Sequence, residues 1–166
     1  MATQLTITYL VNDLFDIVQE ETLNIANIAN AGQVDNIAIT NNETGIFQRL
    51  LKQGANDAFK VFSVLCKVLA DGDVPIALDS LEGMVAVPKL VYNLVPAESV
   101  NIPIYTPIFT NKLQDTIIKF IIVEWLRLKG ERQWAIEKQE YLELKKELKS
   151  CAFHTQTPVV RKQRFL

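Results

Sequence analysis

The side chains that could do chemistry are few and far apart in this chain of 166 residues. His154 is the one imidazole, and no Ser or Cys nucleophile is positioned with it in a Gly-x-Ser-x-Gly or similar turn. Cys66 and Cys151, with that single His, cannot supply the four ligands of a structural zinc site. The sequence therefore predicts no catalytic residue and no metal site.

Carboxylate pairs and glycines lead to the same expectation. Asp71 and Asp73 could hold a hard cation, but Val74-Pro75 follows at once, which is typical of a turn that ends a helix and not of a calcium loop. The six glycines are scattered singly, and no Gly-Lys-Ser or Gly-Lys-Thr accompanies them to cradle a phosphate. We expect no cofactor and no enzymatic activity.

Apolar spacing in the first half of the chain predicts two helices. Apolar residues recur every three or four positions from about Thr6 into the twenties, which is typical of one buried helix face. A second helix is predicted from a cap at Asn42 or Thr44 to Leu69. Gly54 lies inside it beside small alanines, and this patch predicts a close crossing with another helix.

Prolines mark the middle of the chain, residues 76 to 110, as an extended insertion. Because proline lacks a backbone donor, short strands such as Leu90 to Leu94 are predicted to be edge or hairpin strands. An apolar helix is then predicted from Asn111 to Leu128, with Gly130 in position to end it. A charged fourth helix follows, from about Glu131 to Ser150, with an apolar stripe that includes Trp134, Tyr141, Leu144 and Leu148.

These elements predict a mainly α fold. We expect a small bundle of about four helices with an extended, β-hairpin-like insertion at 76–110, all within a helical domain covering residues 1–150. Residues 151–166 are predicted to form an extended C-terminal tail, because they contain Pro158 and little helical pattern.

Composition and charge indicate a soluble chain with unevenly distributed charge. With 49% apolar and 22% charged residues the chain suits a compact core. No basic leader and no apolar run of about 20 residues occurs, so we expect a reducing cytosolic setting and no membrane. Residues 1 to 112 hold 6 Lys or Arg and 12 Asp or Glu, giving −6, whereas residues 113 to 166 hold 11 and 7, giving +4. Such asymmetry favours head-to-tail contacts or an acidic partner.

The order of elements and one set of residues resemble the head–tail connector proteins, also called adaptor or neck-ring proteins, of tailed bacteriophages, in particular those of Bacteroidetes phages. The residues that carry the resemblance are Leu113-Gln114-Asp115-Thr116-Ile117-Ile118-Lys119-Phe120-Ile121-Ile122-Val123-Glu124-Trp125-Leu126, Gln133-Trp134-Ala135 and Tyr141-Leu142-Glu143-Leu144, followed by the Arg-containing tail. About forty residues match in recognisable motif, and the stretch Asn24 to Asn42 has no counterpart.

The resemblance implies a structural protein of the virion, assembled in the host cytoplasm. Copies of the chain would form a ring, commonly twelvefold, that docks beneath the portal protein, contacts other neck and tail proteins, and surrounds DNA without binding it specifically. The insertion and the tail would be arms between subunits. The candidate inter-subunit contacts are Ile102, Ile104, Tyr105, Trp134, Tyr141, Arg161, Lys162, Arg164 and Phe165.

Two other classes of function remain open from the residues alone. One is a small helical regulator or adaptor that binds a partner protein along Trp134, Tyr141 and Leu148, or a small enzyme if a cleft with a strongly shifted carboxylate exists. The other is direct DNA binding through the basic tail at Arg161, Lys162 and Arg164. Three cations on a chain of net charge −2 are a weak footprint for nucleic acid.

Overall fold

The fold is mainly helical, as predicted, with a small antiparallel sheet. The computed structural model describes residues 4–29, 37–66, 74–79, 87–96 and 106–153. Within these ranges the elements follow one another as β1 (Leu5–Leu10), α1 (Val11–Ala29), α2 (Thr44–Phe62), β2 (Ile76–Leu78), β3 (Lys89–Leu94), α3 (Thr106–Lys129) and α4 (Trp134–Phe153).

The three described strands form one sheet in the order β1-β3-β2. β3 lies in the centre and pairs antiparallel with both neighbours, with Tyr92 opposite Ile7 on one side and Ile76 on the other. The antiparallel pairing of β2 with β3 confirms the hairpin-like insertion, but the expectation of an edge strand at Leu90 to Leu94 is wrong. Pro88 and Pro96 lie outside β3, so every residue within the strand keeps its backbone donor and can pair on both sides.

Residues 5–10 form a strand and not the start of the helix predicted from about Thr6. β1 alternates, with Ile7 and Tyr9 buried against the core and Leu10 partly exposed. The spacing of Ile7 and Leu10 fits a helix as well as a strand, because a short apolar run is compatible with both the 3.6-residue and the two-residue period. Pairing with β3 decides between them, and α1 begins directly at Val11.

α2 starts and ends at different residues from those predicted. A short 3₁₀ turn precedes it, in which the Glu43 carboxylate accepts hydrogen bonds from the Thr40 backbone N–H (2.8 Å) and hydroxyl (3.0 Å). The cap is therefore at Thr40 and Glu43, not at Asn42 or Thr44. The helix ends at Phe62, before Leu69, and the predicted turn at 71–75 lies partly outside the described residues.

α3 is the central element of the core, as its apolar sequence predicts. Ile117, Ile121 and Leu126 are fully buried, and the Trp125 indole N–H donates to the backbone carbonyl of Ile37 at 2.6 Å. The helix begins at Thr106, five residues before the predicted start at Asn111. Pro107 is compatible with that first turn, where a backbone N–H has no helical partner. The predicted insertion at 76–110 is thus divided between the sheet and this helix.

The predicted close helix crossing is present at Gly54, where α2 contacts α3. A Cβ atom at Gly54 would lie 2.9 Å from a ring carbon of Phe120 and 3.4 Å from the backbone oxygen of Ile117. The distance to Phe120 is shorter than ordinary contacts between carbon atoms, and the distance to Ile117 is at the lower limit of ordinary contact. Glycine therefore sets how closely the two helices approach.

Gly54→Ala is expected to lower the free energy of unfolding, because the added methyl group overpacks the crossing at a cost of about 1–3 kcal/mol. The gain of about 1 kcal/mol in helix propensity offsets part of that cost, which leaves a net loss of up to about 2 kcal/mol. Gly45→Ala is the matched control in the same helix, since nothing lies within 4 Å of its Cβ position. Urea unfolding of both variants measures the difference, and equal midpoints would show that the crossing tolerates a side chain.

Candidate interaction surfaces

The residues that carry the family resemblance lie on one helical hairpin formed by α3 and α4. Gly130 ends α3 with a φ of 72°, as predicted for this position. Its N–H donates to Arg127 (3.1 Å), and the N–H of Glu131 donates to Leu126 (3.0 Å), which is the bonding pattern of a Schellman cap. α4 then begins at Trp134, three residues after the predicted start, and ends at Phe153, so residues 151–153 belong to this helix and not to the predicted extended tail.

The apolar stripe of α4 faces the core of its own chain. Tyr141 is 7% exposed, Leu148 is fully buried, and the Tyr141 ring lies edge-on to Phe120 with centroids 5.7 Å apart. Trp134 is partly buried against the core, with the Lys138 ammonium 5.4 Å from its ring centroid. Because intramolecular packing covers the stripe, it offers little surface to the partner helix of a regulator.

Tyr141 also joins a polar network that ties α4 to α2. Its hydroxyl donates to the Asp57 carboxylate, and the Lys145 ammonium binds the same carboxylate oxygen at 2.8 Å. Burial alone would raise the pKa of Asp57, but the hydrogen bonds from Lys145 and Tyr141 outweigh it and hold that pKa below its usual value. Burial and the nearby Asp57 charge raise the pKa of the Tyr141 phenol. The network stabilises the helix pair as long as Asp57 is ionised.

A second network gathers carboxylates from α1 and α4 around one lysine of α3. The Lys119 ammonium lies 2.7 Å from Glu137, 2.9 Å from Glu140 and 4.0 Å from Glu21. Burial lowers the pKa of Lys119, but the hydrogen bonds to Glu137 and Glu140 outweigh this and raise it. The pKa of Glu21 is raised by burial, with Glu137, Asp115 and Glu140 adding repulsion. The single positive charge of Lys119 thus lies among three carboxylates and cannot neutralise all of them.

Basic side chains line a groove between α2 and the edge strand β2. The groove has a volume of about 530 Å³, and Gly45, Gln48, Arg49, Lys52 and Asn56 line one side while Ile76 and Leu78 line the other. The helical residues follow one another at three- and four-residue intervals, so they share one face of α2. None of the carboxylates in the described ranges lies within 4.0 Å of the Arg49 or Lys52 cation.

An acidic stripe occupies the outer face of α1. Asp13, Asp16 and Glu20 are exposed and follow the helical period, so their carboxylates lie on one side. Asp16 also borders a second groove of about 350 Å³, which Asn41 and Thr44 line from the start of α2. The groove lined by Arg49 and Lys52 adjoins the same end of α2 at Gly45. Acidic and basic surfaces thus both border the first turn of this helix.

The predicted contact residues divide into two groups. Trp134 and Tyr141 lie on α4, as described above, and their role between subunits stays a prediction. Seven lie outside the described residues: Ile102, Ile104, Tyr105, Arg161, Lys162, Arg164 and Phe165. Sequence reasoning missed the groove at Arg49 and Lys52, although their three-residue spacing on the polar face of a predicted helix was visible. That spacing alone could not predict the groove, because its other wall is β2, whose position beside α2 is set by the fold.

Comparisons with known proteins identify no relative. Scans against family models, curated proteins and solved structures give no significant match. Among the described residues, no group of His, Cys, Asp or Glu is arranged to hold a metal ion, and Cys66 and Cys151 are free thiols. None of the helices described for this chain is long and apolar enough to cross a membrane.

Asp57→Asn is expected to lower the free energy of unfolding by about 1 kcal/mol at pH 7, because the amide cannot replace the charge-assisted bonds. A depressed folded pKa contributes stability above the unfolded value near 3.9, and this contribution is lost as pH falls through the folded pKa. The difference between wild type and variant should therefore shrink below about pH 4. Denaturant unfolding from pH 3 to 7 measures it, and a difference independent of pH would contradict the assignment.

Glu21→Gln is expected to raise the thermal midpoint at pH 7. The raised pKa means that the ionised form is disfavoured in the folded state, and this penalty disappears as pH falls through the folded pKa towards the unfolded value near 4.3. The two proteins should therefore converge in acid. Glu143→Gln, at an exposed position of α4, is the control and should leave the thermal midpoint unchanged. A destabilised Glu21→Gln variant would show that Glu21 is a net attractive partner of Lys119.

Proposed function

We propose that the chain is a structural, non-enzymatic ring subunit of the head–tail connector of a tailed bacteriophage. The proposal rests on the position in the fold of the residues that carry the resemblance to connector proteins. Residues 113–126, 133–135 and 141–144 are separated in sequence, yet they fold together as the hairpin of α3 and α4. The resemblance therefore belongs to one contiguous structural unit and is not a scatter of unrelated similarities.

The distribution of charge supports repeated copies in a ring. The chain has a net charge of −6 up to residue 112 and +4 after it. Two different surfaces on one subunit can meet head to tail, and such heterologous contacts produce closed rings when the rotation between subunits closes. A net charge of −2 for the whole chain also suits a channel through which DNA passes without specific binding.

The proposed partners are other copies of the chain, the portal protein, and further neck and tail proteins. The structure narrows the segments that could reach them. β2 and β3 pair within the subunit, and residues 106–110 belong to α3, so these parts of the predicted insertion are not free arms. Two segments therefore remain as proposed arms between subunits. One is the stretch that includes Ile102, Ile104 and Tyr105, and the other is the tail with Arg161, Lys162 and Arg164; both lie outside the described residues.

The proposal is tested by the mass of the full chain in solution, measured by light scattering from 50 mM to 1 M salt, with electron microscopy of the largest species. Closed rings of uniform copy number are expected. Deleting residues 155–166 should leave the helical circular dichroism and thermal midpoint unchanged but reduce the ring fraction. If the full chain remains monomeric under every condition, the ring proposal is wrong; if the truncated chain forms rings equally well, the tail is not an arm.

A further inference from the structure

Two exposed helix faces of this subunit carry opposite charge and have no ionic partner among its described residues. The acidic stripe of α1 consists of Asp13, Asp16 and Glu20, and the basic groove beside α2 carries Arg49 and Lys52. The charged groups of the hairpin behave differently, since Lys119 and Lys145 both have carboxylate partners within 3 Å. Intramolecular pairing therefore accounts for these two lysines of the hairpin, but not for the charges on the α1 and α2 faces.

We infer that the acidic stripe on α1 of one copy docks in the basic groove of the next copy. The inference rests on the proposed ring and names the surfaces that form it. The partner is a second copy because the chain itself supplies both halves of a charge-complementary pair. The two halves lie on different faces, so the contact is head to tail and leaves one stripe and one groove free for further copies.

The spacing of the charges supports simultaneous pairing. Asp13 and Asp16 are three residues apart on α1, and Arg49 and Lys52 are three residues apart on α2. Each pair is therefore offset by about 4.5 Å along its helix axis. Two helices lying side by side can bring both carboxylates to both cations at once.

The groove also offers more than charge. Ile76 and Leu78 of β2 form its opposite wall, so a helix lying along Arg49 and Lys52 would cover apolar surface as well. On the neighbouring copy, Asn12 and Asp16 border the second groove, of about 350 Å³, which lies beside the acidic stripe. Ion pairs at such a partly exposed contact set the orientation of the subunits and speed their encounter, and both effects weaken as salt screens the charges.

Charge reversal on each face tests the inference with the full chain. Arg49→Glu with Lys52→Glu makes both faces acidic, and Asp13→Lys with Asp16→Lys makes both faces basic. Each double variant alone should assemble with an apparent dissociation constant weakened by about tenfold or more, because attraction becomes repulsion. An equimolar mixture of the two should regain assembly, since every contact then joins opposite charges. Sedimentation velocity at 50 mM and 500 mM salt measures all three.

A matched control reverses two exposed cations elsewhere. Arg132→Glu with Lys146→Glu changes the net charge as much as the α2 variant does, but in the turn before α4 and on α4 itself, and should assemble like the wild type. Circular dichroism and the thermal midpoint establish that each variant is folded. Rings formed by both face variants as readily as by the wild type would overturn the inference and leave the proposed function standing. A wild type that never associates would overturn both.

Discussion

The fold depends on burying the whole circumference of α3. Ile117, Ile121 and Leu126 of this helix are fully buried, so every side of it needs an apolar neighbour. α4 covers one side by folding back at the Schellman turn, α2 covers another through the close contact at Gly54, and α1 contacts a third. Removing any one of these elements would expose apolar surface, which makes the bundle cooperative.

Polar contacts then fix the geometry of elements that hydrophobic packing alone would leave free to slide. The Trp125 indole holds the segment before α2 through the carbonyl of Ile37, and the Tyr92 hydroxyl donates to Ala55 at 2.8 Å, joining the sheet to α2. Asp57 and Lys119 each bind side chains from α4. Such hydrogen bonds add modest stability but select one arrangement, because a buried donor left unpaired is costly.

The pairing of charges within the subunit also accounts for where the proposed contacts lie. Lys119 and Lys145 of the hairpin bind carboxylates within the subunit, and its aromatic residues Trp134 and Tyr141 also pack or bond internally. The faces of α1 and α2 that point away from the bundle carry charges without described ionic partners, and they flank the start of one helix. A subunit of this kind has surface charge available for repeated neighbours, which is what a ring needs.

Local pattern predicted all four described helices, though not all of their ends, and two details of α2 and α3. The apolar periodicity located these helices, and the small-residue patch and Gly130 predicted a crossing and a cap that the structure contains. Where only long-range pairing distinguishes the possibilities, the pattern failed. Thr6 to Leu10 fits helix and strand alike, and β3 becomes the central strand because β1, distant in sequence, pairs on the side opposite β2. The groove at Arg49 and Lys52 likewise exists only because the sheet places β2 beside α2. Helix periodicity and caps are local properties of neighbouring residues, whereas strand order and grooves are set by contacts between distant ones.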